Sequence, residues 1–198
     1  MERNKVIGCI GLRGSGKSTA LREIVSCRPR LVVIDVLGEH RFGHVADFDD
    51  GLEALGEVAS RKIFAVTIQP GRGDLADAVD AICEECFQIG NLWLAVEEIP
   101  QFAGASWMPE GLDMLARMGR HRGVSLVYTG QRFAEIPRRL TSTTDVFVLF
   151  GQREPSDLQA LASRVGRETA ERVERLPLHG RVIFDVLAGR CLAEKGHP

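Results

Sequence analysis

No stretch of the 198-residue sequence comes near the ~20 consecutive apolar residues that a membrane helix needs. A transmembrane segment is therefore not expected. The opening stretch, MERNKVIGCIGLRG, holds too short an apolar run for a secretory signal. Excess positive charge is also lacking, because the formal net charge is −2. That excludes a surface coated for nucleic acid; any such contact would need a local stripe or a ring of subunits. The five cysteines are an odd number, which does not suit a closed disulfide framework. A cytoplasmic chain with free thiols is the expectation. Linkers, low-complexity tracts and repeats are missing too, so residues 1–198 read as one domain.

What is present is an ordinary globular balance, with 44% apolar and 26% charged residues. Apolar strand-like runs alternate with amphipathic stretches throughout. KVIGCI, RLVVIDV, KIFAVTI, NLWLAVE, GVSLVYTG and DVFVLF read as strands. Helices are expected from Lys17 to about Cys27, around GLEALGEVASR, from a cap at Asp74 to about Ile89, and through Met108, Leu112 and Leu115 with Pro109 in the first turn. PSDLQALASRVG reads as a further helix, capped by Ser156 and stopped by Gly166. RFGHVADFDDG reads as a surface loop, and HGRVIFDVLAGRCLAE as a terminal hairpin turned by AG. The order predicts an α/β fold with a mostly parallel central sheet flanked by helices, closed by a C-terminal β-hairpin. Cys83 and Cys86 form a CxxC pair. They share helical spacing with Leu75, Val79, Ile82 and Phe87, so they read as core rather than metal ligands. Trp93 reads as core; Trp107 fits either core or interface.

GLRGSGKST follows the first strand and opens the first helix. Gly11, Gly16, Lys17 and Ser18 meet the pattern G-x-x-x-x-G-K-S. Glycines at this spacing let the backbone curl until successive N–H groups point inward at phosphate oxygens. The loop Gly11, Arg13, Gly14, Ser15, Gly16, Lys17, Ser18 and Thr19 is thus expected to hold a nucleoside triphosphate, most simply ATP. Lys17 would neutralise the β- and γ-phosphates, and Ser18 would bind Mg²⁺ through its hydroxyl.

LWLAVEE ends a buried strand with two acids. Glu97 is expected to hold the metal, and Glu98 to polarise the water that attacks the γ-phosphate. A second acid at this point favours hydrolysis over transfer to a small acceptor. Gln131 ends a strand expected beside the P-loop strand, where its amide can bond the γ-phosphate or the water. Arg120 and Arg122 precede that strand. On residue type alone they fit solvated or helix-capping charges as well as an arginine supplied to a neighbouring subunit.

Together GLRGSGKST, VVIDVLGEH, LWLAVEE and GRHRGVSLVYTGQR resemble the HerA/FtsK superfamily of DNA-pumping ATPases, within the RecA-like P-loop NTPases. Asp35, Gly38 and Glu39 stand at the second of these stretches. Glu97 stands where aspartate is usual. Thr129 lies one place early, since Gly130 directly precedes Gln131. The resemblance implies Arg120 as an arginine finger acting on a neighbour and Gln131 as a sensor. The short chain is similar to the genome-packaging ATPases of tailless, often membrane-containing viruses. That implies a homo-oligomeric ring, hexamer or pentamer, acting on double-stranded DNA at a capsid vertex. Arg72, Arg138 and Arg139 are candidate DNA contacts. A small-molecule P-loop kinase, a cellular HerA-like translocase, or a phage assembly protein of the zonula-occludens-toxin type remain alternatives.

Overall fold

The computed structural model describes residues 4–71 and 75–195. Its centre is a nine-stranded sheet in the order β3-β4-β2-β5-β6-β1-β7-β8-β9. The strands are β1 (Val6–Ile10), β2 (Arg30–Ile34), β3 (His44–Ala46), β4 (Phe64–Ile68), β5 (Trp93–Val96), β6 (Ser125–Gly130), β7 (Val146–Phe150), β8 (Arg181–Asp185) and β9 (Arg190–Lys195). The first seven run parallel; β8 and β9 are antiparallel additions. β1, β6 and β7 are buried along their whole length, as strands covered on both faces must be. The hairpin turn spans 186–189, with Gly189 at φ 63°, so AG marks the turn as expected.

Helix α1 (Lys17–Val25) covers one face of the sheet. Its Ala20, Leu21 and Val25 pack with Ile7, Cys9, Leu31, Val33, Val127 and Val148. The other face carries the larger core. It receives α2 (Phe48–Val58), α3 (Leu75–Ile89), α4 (Glu110–Met118), α5 (Arg138–Thr143), α6 (Pro155–Val165) and α7 (Arg167–Arg175). Cys83 and Cys86 are fully buried in it, and burial pushes both thiols up, away from the ionised form a metal would need.

Several local expectations need correction. RFGHVADFDDG is not a loop: it contains β3 and the start of α2. β3 is a three-residue edge strand paired with β4, too short to show a periodic signal. Asp47 caps α2 by accepting from the Asp50 N–H at 3.1 Å. Ser156 is not a cap; Glu154 holds that position, with Pro155 opening α6, and Ser156 instead accepts from Arg132 at 3.0 Å. Pro109 is the cap residue of α4, just outside its first turn. Gly166 ends α6 as expected, but the chain then forms α7, whose strongly polar sequence hides its one buried stripe of Thr169, Ala170 and Val173. Trp93 is only half-buried, with the Arg28 guanidinium 4.0 Å above its ring. Trp107 is exposed. The expected cap at Asp74, and Arg72, lie outside the described residues.

Candidate nucleotide site

The parallel strands all deliver their carboxyl ends to one edge, where open α/β sheets bind ligands. A cavity of about 770 Å³ lies there, lined by Arg13, Gly14, Gly16, Lys17, Ser18 and Thr19 from the loop and first helix. Leu37, Glu39, Glu97, Glu98, Gln131 and His179 complete it. Of the loop residues expected here, Gly11 and Ser15 are buried and do not line it. A Cβ on Gly11 would sit 2.3 Å from the Phe150 Cβ, so only glycine fits under the loop. Gly16 adopts φ 105° and leaves the first-turn N–H groups of α1 without a side-chain cap. Those groups are the orphan donors of a helix start, directed into the cavity. Lys17 is buried and donates from Nζ to the Leu12 carbonyl at 3.1 Å. Burial lowers its pKa, while Glu98, Glu97 and Glu39 oppose that shift.

Glu97 and Glu98 are adjacent in sequence and differ in environment. Glu97 Oε1 takes two contacts: Ser18 Oγ donates at 3.2 Å and His40 Nε2 lies at 3.0 Å. Its Oε2 is buried with no hydrogen-bond partner. Glu39 accepts a longer contact from Ser18 at 3.4 Å. A hydroxyl and carboxylates are hard oxygen donors, and a buried carboxylate oxygen without a partner is the group a divalent cation would satisfy. The donor set of Ser18 and Glu97 is therefore chemically suited to Mg²⁺.

His40 is held by its own backbone. Asp35 accepts from the N–H groups of Glu39 (3.1 Å) and His40 (2.8 Å) and from Gln69 Nε2 (3.1 Å). Burial alone would raise the Asp35 pKa. The hydrogen bonds donated by the His40 and Glu39 backbones and the Gln69 side chain outweigh it and hold the carboxyl below its usual range. Asp35 thus pins the turn that carries Glu39 and His40. His40 and Gln69 are site-supporting residues that sequence reasoning missed.

Glu98 sits on a left-handed backbone, φ 53° and ψ 59°, uncommon for a residue with a side chain. Its N–H donates to Thr129 Oγ1 at 2.9 Å. The threonine one place early in the sequence therefore ties the end of β6 to the backbone of Glu98. At Gly130, next in the chain, a Cβ would lie 2.3 Å from Ile136 Cδ1, so the end of that side chain packs against the glycine. Burial raises the Glu98 pKa; Lys17 and the Gln131 side chain oppose the shift, and Glu97 and Glu39 add to it. β6 pairs directly with β1, so Gln131 lies just past the end of a buried strand beside the P-loop strand.

The arginines lie elsewhere. Arg120 precedes β6 and Gln131 follows it, so a six-residue strand, about 20 Å, separates Arg120 from the edge that holds its own loop. It lines a separate cavity of about 300 Å³ with Asn4, Lys5 and Asp145. Arg122 bonds the carbonyls of Phe87 and Gln88 and thereby caps the end of α3. Arg139 pairs with Asp113 at 3.3 Å, and Arg138 is exposed.

This strand order, with β6 between the P-loop strand and the acid-bearing β5, and this cavity define a P-loop NTPase fold with a C-terminal hairpin. Comparison with solved structures narrows the likeness. The genome-packaging NTPase B204 of Sulfolobus turreted icosahedral virus 2, solved with ATP-γ-S, superposes with a TM-score of 0.80 at 19% identity over 100% of both chains. B204 of Sulfolobus turreted icosahedral virus, a DNA-packaging ATPase, gives 0.73 at 18% identity, again over the whole of each chain. The pCW3 conjugation coupling protein TcpA gives 0.56 at 15% identity, over 92% of this chain and 58% of that one. At such identities the likeness is one of fold. No family model matches the sequence, and no curated protein matches it.

Proposed function

We propose that the protein hydrolyses ATP and, as a ring of identical subunits, uses the energy to move double-stranded DNA during packaging of a viral genome. One observation carries the ATPase reading. Lys17, the adjacent Glu97 and Glu98, and Gln131, from three separate stretches of sequence, line one cavity over the uncapped start of α1. The full-length likeness in fold to packaging NTPases supports the motor reading.

Lys17 leaves the Leu12 carbonyl and takes the β- and γ-phosphate oxygens. Ser18 and Glu97 would hold Mg²⁺, which would supply neutralisation of the phosphate charge. Glu98 accepts a proton from water as the water oxygen bonds to the γ-phosphorus; the bond from that phosphorus to the β–γ bridging oxygen breaks, giving ADP and phosphate. Gln131 orients the water. Arg120 of a neighbouring subunit stabilises the charge on the transferring group, since its own loop is out of its reach. Exposed Arg138 is a candidate phosphate contact for DNA, while Arg139 is engaged with Asp113. Capsid vertex proteins are the expected docking partners.

Phosphate release measured with and without double-stranded DNA, across a salt series, tests this reading. DNA should stimulate turnover, with stimulation fading as salt rises. Turnover that depends on a small phosphate acceptor and ignores DNA would favour a kinase.

A further inference from the structure

The cavity extends to both sides of β1, and the two sides differ. The acids and Gln131 come from the ends of β2, β5 and β6, all on one side of β1 in the sheet. On the other side lie β7 and β8, and from the loop before β8 His179 enters the cavity wall. A triphosphate whose terminal phosphate faces Glu98 must direct its other end away from the acids, toward β8.

His179 lines the cavity on that side. Its Nδ1 is 3.7 Å from the position a Cβ on Gly16 would occupy, so the imidazole lies beside the start of α1. Arg181, two residues on, bonds Glu23 of α1 at 2.8 Å, which fixes this loop along the helix. His179 has a left-handed backbone, φ 66°. Among the described residues three non-glycines do so: Asn91, Glu98 and His179. Asn91 lies outside the cavity; Glu98 and His179 both line it, one on each side of β1. The His179 side chain is exposed, and no hydrogen bond to another described residue holds its ring. A planar ring presented in this way suits a planar partner, and a nucleobase is the planar part of the substrate.

We propose that His179 is a substrate-binding residue that stacks on the nucleoside half of the nucleotide, so that the site distinguishes a nucleoside triphosphate from the bare phosphate chain. The inference rests on the reading of this cavity as a triphosphate site. Equilibrium binding of ATP and of inorganic tripolyphosphate to the wild type and to His179→Gly, His179→Asn and Lys17→Ala tests it. Glycine and asparagine both tolerate the backbone conformation, and retained tripolyphosphate binding reports an intact fold. The expected result is about tenfold weaker ATP binding in both His179 variants with tripolyphosphate unchanged. Equal losses for the two ligands would make His179 a phosphate or structural contact and overturn the proposal, as would ATP binding at wild-type strength. Failure of the triphosphate reading itself looks different: the wild type would bind neither ligand, or Lys17→Ala would bind both.

Discussion

Lys17, Asp35 and Glu97, at the carboxyl edge of the sheet, are each held by other residues. The Arg120 guanidinium, at the amino edge, has no hydrogen-bond or ion-pair partner among the described residues. At the first edge a chain of contacts runs from Gln69 through Asp35 and the turn of His40 to Glu97 and Ser18. At the second, Arg122 is committed to the end of α3, and Arg120 beside it is left exposed. In the proposed reading, groups that must meet phosphate with fixed geometry are positioned within one chain, where preorganisation lowers the cost of reaction. An arginine free of internal partners keeps its donors for another molecule.

The largest expected effect breaks the carboxyl edge at its phosphate ligand. Lys17→Ala should abolish nucleotide binding or turnover, read by titration and phosphate release, because the loop's other cation, Arg13, is exposed while Lys17 is buried. Next comes the amino edge. Arg120→Ala subunits mixed with Glu98→Gln subunits should recover part of the activity that each lacks alone. No recovery in verified mixed assemblies would remove Arg120 from the neighbour's site. A smaller change sharpens the first edge alone. His40→Ala leaves Glu97 without its buried partner, so the magnesium concentration for half-maximal turnover should rise about tenfold, with the rate restored at saturating metal. An unchanged magnesium midpoint would reduce His40 to packing.

The smallest effect concerns charge. Burial raises the Glu98 pKa, so the folded chain binds that proton more tightly than the unfolded chain does. The carboxylate therefore costs stability above the raised pKa, and the cost fades as pH falls through it. Glu98→Gln should raise Tm by up to about 2 °C at neutral pH, and the gain should shrink on acidification. In the wild type the acid limb of kcat/KM should lie above the ordinary glutamate range. A variant Tm that tracks the wild type at every pH would contradict the buried-charge account.

The phosphate loop and paired acids were legible in the sequence because their chemistry is local. Glycine spacing shapes a loop by itself, and an apolar run ending in two acids delivers them to one strand end. The parallel sheet and closing hairpin followed from the alternation of patterns. β3 was hidden because three residues carry no period, and α7 because its surface is almost entirely charged. His40 could have been sought beside Glu39, but its importance comes from a turn anchored on Asp35, a tertiary effect. His179 left no signal: it reaches the loop only because β8 pairs beside β7. Thr129 stood out as misplaced by one position, and the structure gives that position a partner in the backbone of Glu98.

The most direct measurement is rapid-mix, single-turnover hydrolysis of ATP by Glu98→Gln beside the wild type. If Glu98 is the base, the variant binds ATP in a Lys17-dependent manner and cleaves it at least ~100-fold more slowly. Cleavage near the wild-type rate would contradict the account and place the base on another residue.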